Sequence, residues 1–457
     1  MVQSFQTKYD VVIAGAGPAG TVVAYHLAGS GLRVAVFETR KWENVWGKPC
    51  GDAIALYHFE NAGLPYPPAD VIRNKVDSID IYSPSLEVRY RIKGEGLIVD
   101  RRRLGQWLLS EASRRGVELF VGSYTIVKPV IEGGKVVGVI VRQPGGKIVE
   151  IRANVVVEAT GVARAIKRWL PREWSVYDEL DPRDTNIAYR EVWEYQDKVI
   201  DEPNVIRIYL NMDIAPGGYW WYFPEGNVKV NLGLGVQGGK GYPNPKKLFE
   251  EKLVNHKVVA GKHRVVEAGG AVVPTRRPSD SLVGPGIVVV GDAGYTVNPV
   301  HGGGIGYAFY SAYLAAKTIL EAHEKGCYTE ECLWSLNLRY MKTGGVKQAT
   351  LDVFRRFLQR LSNEDIEFGM EKRLVPEADV YYVSSKGELK VGVVEKALIV
   401  LRGLRKPTLL LKLKIVADYM KKIRELYANY PEHPLQLGKW KMEVERLLRE
   451  YEAKLAG

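Results

Sequence analysis

Residues 9–40, YDVVIAGAGPAGTVVAYHLAGSGLRVAVFETR, constrain the fold of this chain more than any other segment. An apolar strand runs into Gly15-x-Gly17-x-x-Gly20, and a helix of small residues and a second strand follow. In such a pattern the first glycine makes a tight turn, and the second lets the backbone approach a pyrophosphate. The third lets the helix pack closely on the strand. The segment therefore predicts a dinucleotide-binding βαβ unit.

Two further residues of this segment belong to the predicted cofactor site. Glu38 ends the second strand, where a carboxylate accepts hydrogen bonds from ribose hydroxyls. Ala19 lies in the glycine-rich turn, just before the helix predicted over residues 21–28, whose N-terminus faces the phosphates. Strand, glycines, helix, strand and acid stand in register, which makes an ordinary βα turn a poor alternative.

Later segments favour a flavin over a nicotinamide cofactor. Residues 155–166 read as a strand that ends in Ala-Thr-Gly, and residues 286–309 as a buried strand that runs into Gly-Asp and a glycine-rich helix start. An aspartate there accepts from ribityl or ribose hydroxyls, and amides at a helix N-terminus bind the flavin edge or a phosphate. A further helix begins near residue 100. The cofactor residues predicted in these three segments are Arg101, Asp292, Gly303, Gly304 and Ile305.

Together these segments resemble the FAD-containing aromatic hydroxylases, whose nucleotide domain is of the glutathione-reductase type, over about residues 1–340. The resemblance implies an α/β fold with a Rossmann-like FAD-binding domain. Hydroxylases of this class usually carry an Asp-Gly pair just after the Ala-Thr-Gly strand, and GVARAIKRWL at 161–170 has none. That difference disfavours an NAD(P)H-driven hydroxylase.

Two other segments resemble the geranylgeranyl reductase family. Residues 216–224, PGGYWWYFP, match its PxxYxWxFP segment in full, and KPCGDAI at 48–54 contains its Cys-Gly pair. The match is closest to archaeal forms that saturate the geranylgeranyl chains of membrane ether lipids. The resemblance implies FAD, stepwise reduction of isolated C=C bonds and a lipid-facing cavity. It also places Pro49, Cys50 and Gly51 beside the flavin.

Reducing an isolated alkene requires a proton donor and stabilisation of positive charge. Protonation first would give a tertiary cation, which aromatic faces stabilise by about 0.5–2 kcal/mol each, and hydride would then quench it. Cys50 either donates the proton or positions the ring, and a thiol is a weak acid for this purpose. His301 is the rival acid. The predicted catalytic residues are Cys50, Tyr219, Trp221 and His301, without a metal.

The aromatic run GGYWWYFP allows two interpretations. Alternate residues of a strand face the same way, so Tyr219, Trp221 and Phe223 share one face. These three residues are predicted to bind the prenyl substrate, because the strand belongs to a sheet expected to cover the flavin. The alternative is that they are ordinary core residues.

Patterning along the chain predicts three domains. The FAD-binding domain is discontinuous and spans 1–70, 95–175 and 276–345; an antiparallel-sheet catalytic domain spans 71–94 and 176–275. Residues 346–457 form a helical C-terminal domain. In residues 407–427 an apolar helical face borders many lysines. That face either lies on a membrane or packs on the protein.

Composition bounds compartment and partners. The first residues lack the apolar run that a signal peptide needs, so we expect a cytoplasmic protein that associates peripherally with the membrane. The net charge of +11 suits binding to an anionic membrane or simply a solvated surface, and the sequence contains no recognisable nucleic-acid-binding module.

The cysteine count bears on the electron supply. Three cysteines cannot provide the usual four thiolates of an iron–sulfur cluster, so we expect electrons to come from a ferredoxin-like carrier or NAD(P)H. Cys327 and Cys332 could pair if the source is a hyperthermophile, where cytosolic disulfides occur, and their spacing alone does not decide it.

Two other functions compete with a prenyl reductase. One is a flavin-dependent monooxygenase or halogenase of the same fold. The other is a non-catalytic prenyl-lipid-binding flavoprotein.

Overall fold

The computed structural model describes residues 6–377 and 405–456. The described residues form two large sheets and a set of helices. The strands are β1 (Lys8–Ala14), β2 (Val34–Glu38), β3 (Ala53–Ala55), β4 (Ile72–Tyr82), β5 (Arg89–Val99), β6 (Glu118–Val121), β7 (Thr125–Glu132), β8 (Lys135–Arg142), β9 (Ile148–Glu158), β10 (Thr185–Tyr195), β11 (Val205–Tyr209), β12 (Tyr219–Pro224), β13 (Lys229–Gln237), β14 (His263–Pro274), β15 (Val283–Gly284) and β16 (Ile287–Val289).

The helices follow the strands around the two sheets. They are α1 (Pro18–Leu27), α2 (Tyr57–Asn61), α3 (Arg101–Arg114), α4 (Pro245–Leu248), α5 (Ile305–Glu324), α6 (Glu330–Leu333), α7 (Ser335–Tyr340), α8 (Val346–Leu358), α9 (Asn363–Glu371), α10 (Pro407–Ala428) and α11 (Leu437–Ala456). Residues 341–345 form a wide helical turn between α7 and α8.

The first sheet has the strand order β15-β16-β9-β1-β2-β6, with β7 and β8 attached beside β9. Its central pairs, β1 with β2 and β1 with β9, are parallel. Strand β1 is apolar along most of its length because helices α1, α3 and α5 cover one face and the β7–β8 hairpin covers the other. This arrangement is the predicted α/β nucleotide-binding layer.

The second sheet has the order β14-β10-β13-β12-β11-β4-β5-β3. It is antiparallel except between β4 and β11. Strand β3 pairs with β5 in this sheet, so the chain first enters the second layer inside the range 1–70. One face packs against the helical segment 245–253, and the other faces the loops at the edge of the first sheet.

The C-terminal helices pack on α8. The predicted apolar face of α10 is buried at Leu409, Val416, Met420, Ile423 and Tyr427. The helix therefore packs this face within the protein, the second of the two predicted alternatives. Part of the predicted C-terminal domain, 378–404, lies outside the described residues.

Two smaller features bear on the sequence expectations. Cys327 and Cys332 are joined by a disulfide bond between α5 and α6, and Cys50 is free. Among the helices that the structure describes, none is long and apolar enough to cross a membrane.

Replacing Asp352 with asparagine should destabilise the protein. Asp352 on α8 is fully buried and accepts hydrogen bonds from Arg355 and Arg356. Arg355 also donates to Asp184, beside the second sheet, at 2.8 Å. Removing this charge leaves Asp184 as the remaining carboxylate partner of the buried Arg355 guanidinium. We therefore expect the free energy of unfolding to fall by about 3 kcal/mol, the low end for a broken buried ion pair. Denaturant unfolding at pH 7 measures it.

The pH dependence provides the control for this prediction. Burial alone would raise the pKa of Asp352, but the two guanidinium groups outweigh it and hold the pKa below its usual range. The carboxylate therefore stabilises the fold above its unfolded pKa near ~3.9 and loses that contribution as the pH falls through the folded value. The difference between wild type and D352N should shrink below pH ~4. Equal stability of both proteins at pH 7 would contradict the prediction.

Candidate active site

The glycine-rich loop after β1 is shaped by close backbone contacts. Gly15 has φ +96°, and a Cβ at this position would lie 2.6 Å from the carbonyl oxygen of Ala159. A Cβ on Gly20 would lie 2.0 Å from the carbonyl oxygen of Gly15. A Cβ on Gly17, by contrast, would have no protein atom within 4 Å. Gly17 therefore borders open space, as a backbone that approaches a pyrophosphate requires.

Glu38 lies at the end of β2 beside this loop. Its carboxylate accepts hydrogen bonds from the backbone nitrogens of Ala16 at 2.8 Å and Arg40 at 2.7 Å. These bonds fix the side chain at the edge of the first sheet, where the ribose of a dinucleotide binds in this type of fold. The geometry fits the predicted role.

A second group of predicted cofactor residues converges near Lys48. Lys48 donates to the carboxylate of Asp292 at 2.8 Å, and its carbonyl oxygen accepts from Arg101 at 2.8 Å. Ala19 contacts the same region, because a Cβ on Gly291 would lie 2.8 Å from its methyl group. Arg101 and Asp292, 191 residues apart in the chain, thus share Lys48 as a neighbour.

Gly303, Gly304 and Ile305 lie at the N-terminus of α5, a helix of 20 residues. The first amides of a helix and the helix dipole make this position favourable for an electron-rich group, although the amide of Gly303 already donates to Nδ1 of His301 at 3.1 Å. Asp292 adjoins it, since its carboxylate would lie 3.2 Å from a Cβ on Gly304. The residues predicted to bind FAD therefore lie along one edge of the first sheet, and they fit a flavin dinucleotide.

Residues 45–52, which precede β3 and are called the Cys50 loop below, pack against the second sheet. A Cβ on Gly269 of β14 would lie 2.7 Å from Pro49, and a Cβ on Gly51 would lie 2.7 Å from the ring of Phe223. The thiol of Cys50 is half-buried, and its carbonyl oxygen accepts from the side-chain amide of Asn231 at 2.8 Å. Gly51 must be a glycine because the aromatic ring occupies the space of a side chain.

The two faces of β12 have different neighbours. Trp220 and Tyr222 pack in the core against the helical segment 245–253. Trp221 and Phe223, with Tyr219 beside them, form a separate cluster on the face toward the first sheet. The indole nitrogen of Trp221 donates to Asn231 at 3.0 Å. The odd-numbered face therefore lies against the Cys50 loop, and Trp221 and Phe223 are buried there, which is compatible with both predicted interpretations, cavity wall and core.

Tyr219 and His301 are in direct contact. The hydroxyl of Tyr219 donates to the carbonyl oxygen of His301 at 2.6 Å, and the Nδ1 atom of His301 accepts from the amide of Gly303 at 3.1 Å. Desolvation by the surrounding protein and the charge of Lys347 together lower the pKa of His301 to about 4, although part of the residue's surface is exposed. A neutral imidazole at pH 7 is a poor proton donor, so the geometry favours His301 as a fixed turn residue.

The sequence interpretation missed two residues of this site. Asn231 is fully buried in the apolar strand β13 and contacts both the Cys50 loop and Trp221. A single amide inside an apolar run was the available signal. Lys347 is the second residue of α8, just after the wide turn, and burial lowers its pKa to about 8. Its position among charged helix residues gave no signal.

The two-sheet fold is one that solved flavoproteins share. The fold matches a geranylgeranyl bacteriochlorophyll reductase-like protein from Thermoplasma acidophilum with a TM-score of 0.74 and 24% identity, covering 90% of this chain and 99% of that one. It also matches a myxobacterial chondrochloren halogenase, a variant of FAD-dependent halogenases, with a TM-score of 0.62 and 18% identity, covering 87% and 97%.

Sequence comparison narrows the class to a family. Residues 184–273 match the geranylgeranyl reductase catalytic domain. A digeranylgeranylglycerophospholipid reductase from Sulfolobus acidocaldarius is 44% identical over 452 residues, which cover 99% of this chain and all of that protein. The chain belongs to the geranylgeranyl reductase family, and the resemblance read from the Cys-Gly pair and the aromatic segment is confirmed.

Proposed function

We propose that this protein is an FAD-dependent reductase that saturates isolated C=C bonds in the geranylgeranyl chains of archaeal membrane ether-lipid precursors. The observation that carries the proposal is the meeting of three elements: the Cys50 loop, the odd-numbered face of β12 and the N-terminus of α5. In this arrangement the Cys-Gly pair and the aromatic segment, which carry the family resemblance, lie beside the residues predicted to bind the flavin. The Sulfolobus relative, similar over its whole length, bears the name of this activity.

The chain's own residues would serve the reaction in distinct ways. FAD, when bound and reduced, would supply the hydride. Tyr219, Trp221 and Phe223 would exclude water from the alkene, and the two electron-rich rings would stabilise a transient positive charge. Gly51 lets Phe223 approach the loop, so the apolar wall stays close to the Cys50 thiol. The loop would thereby orient the prenyl chain against the flavin.

The electron donor and the membrane are further parts of this proposal. A ferredoxin-like carrier and NAD(P)H both stay open as donors, and anaerobic flavin reduction by each distinguishes them. We propose peripheral attachment driven by charge, because the net charge of +11 attracts an anionic surface while the apolar face of α10 is buried.

Mass spectrometry tests the function directly. Flavin-loaded protein is reduced chemically under anaerobic conditions and incubated with a geranylgeranylated glycerophospholipid. We expect the lipid to gain two hydrogens for each bond reduced while the flavin is reoxidised. An unchanged lipid mass would overturn the proposal. Flavin reoxidation only on admission of oxygen and halide, with a halogenated product, would support a halogenase instead.

A further inference from the structure

A polar cleft lies behind the Cys50 loop, between α3 and the second sheet. Its rim is partly open, with 27% of the Arg73 side chain and 26% of the Glu267 side chain exposed. Its floor is closed, with 5% of the side chain exposed at both Asp52 and Arg190. Polar groups therefore lead from solvent to a buried carboxyl two residues from Cys50.

The floor contains buried polar atoms that are not paired within the protein. Among the described residues that line the cleft, hydrogen-bond partners are lacking for Asp52 Oδ1, Arg101 Nε, and Arg190 Nε and Nη1. Arg101 Nε lies 3.7 Å from Asp52 Oδ1, beyond hydrogen-bond distance. One acceptor and three donors around one small space suit ordered water, which donates and accepts at once.

One amide connects this floor to the aromatic wall. Asn231 Nδ2 donates to the carbonyl oxygen of Cys50 at 2.8 Å and lies 3.4 Å from Asp52 Oδ2. Its Oδ1 accepts from the indole of Trp221 at 3.0 Å. Asp52 itself has φ +60°, a left-handed conformation that aspartate and asparagine tolerate better than most residues. The carboxyl is thus held at a fixed place between cleft and cavity.

Charged groups face Asp52 from every element around it. They are Arg101, Arg102 and Asp100 from α3, Arg73 from β4, Arg190 from β10, Glu225 after β12, Glu267 from β14 and Lys48 from its own loop. Burial raises the pKa of Asp52 to about 6, against the lowering effect of Arg101 and Arg190. The group can therefore hold a proton near neutral pH and release it to leave an anion that two arginines stabilise.

We propose that Asp52 is the proton reservoir of the reduction, refilled from solvent through the cleft. Saturation of each C=C bond needs a hydride on one carbon, which bound and reduced FAD would supply, and a proton on the other. That proton originates from the Asp52 O–H bond and crosses the Cys50 loop through water; a solvent proton then restores the carboxyl. The inference rests on the proposed function. It adds to that function a residue that supplies the proton through water without touching the substrate.

The test uses flavin-loaded, chemically reduced protein mixed with a geranylgeranylated glycerophospholipid under anaerobic conditions from pH 5 to 9. Wild-type flavin reoxidation should slow about tenfold per pH unit above ~6, where the carboxyl loses its proton. D52N should react roughly a hundredfold more slowly at pH 6 and lose this slope. D52E should restore the slope.

A matched control separates proton supply from general damage. Asp80 is a buried carboxylate of the same sheet that accepts a hydrogen bond from Arg91 at 2.7 Å. It does not line the cleft. D80N should keep the wild-type pH profile even where it lowers stability. An unchanged rate and slope in D52N would overturn the proposal.

A second measurement does not depend on activity. Infrared difference spectra of the flavin-loaded protein, wild type minus D52N, report the protonated carboxyl band of Asp52 as the pH is varied. We expect the band to be present at pH 5 and lost by pH 7–8. Absence of the band at pH 5 would overturn the proposed role of Asp52, even if the lipid is saturated. Presence of the band without any lipid product would instead contradict the proposed function of the protein.

Discussion

G20A should bind little or no flavin. The added methyl group would lie 2.0 Å from the carbonyl oxygen of Gly15 and 3.1 Å from the Cβ atom of Ala159. Both neighbours belong to the strand ends that shape the phosphate loop, so the loop must move. Overpacking of this kind costs about 1–3 kcal/mol or more, and we expect flavin occupancy at limiting FAD to fall by at least about tenfold. The ratio of flavin to protein absorbance measures it.

G17A is the matched control for this loop. A methyl group at Gly17 would contact no protein atom, so the apoprotein should keep its wild-type melting temperature. It should still lose flavin affinity, because the methyl group would project where the pyrophosphate is expected. G20A should lose both stability and flavin. Full flavin occupancy in G20A, or equal flavin affinity in G17A and wild type, would contradict this assignment of the loop.

The sequence predicted the cofactor layer because its signals are local. Gly15, Gly20 and Glu38 lie within one βαβ unit, where each residue's conformation is determined by near neighbours. The start of α3 was predicted for the same reason, since Asp100 caps it by accepting from the amide of Arg103 at 3.1 Å. Periodicity also predicted which face of α10 is apolar, but periodicity does not say what covers that face.

The parts that were not predicted depend on contacts between distant segments. Asn231 bonds to a carbonyl oxygen 181 positions earlier in the chain, and Pro49 packs on Gly269. The lowered pKa of His301 follows from desolvation and from the charge of Lys347, on a helix 46 residues later. Single-sequence patterns contain no information on such pairings, so the role of His301 as an acid stays a prediction that this pKa disfavours.

The two tryptophans of β12 allow a test of which face lines the cavity. Trp221 lies on the face toward the Cys50 loop and is 7% exposed. Trp221→Ala removes a wall of the proposed prenyl site, so single-turnover lipid reduction should slow about a hundredfold through lost orientation of the alkene. FAD should stay bound, because the predicted FAD ligands of the first sheet and α5 do not include this side chain. Anaerobic flavin reoxidation by lipid measures the rate.

Trp220 is the neighbour on the opposite face and makes the experiment decisive. Its ring stacks on Tyr209 with centroids 3.6 Å apart, and 1% of the residue is exposed. Trp220→Ala should cost about 3–5 kcal/mol of stability, as large core truncations do. Folded W220A should still turn over lipid within a few-fold of wild type. Trp221→Phe should recover most of the rate if the apolar wall matters more than the bond to Asn231. If W221A instead unfolds and loses flavin while W220A loses turnover, the two faces are assigned the wrong way round and the aromatic segment is core on its odd-numbered side.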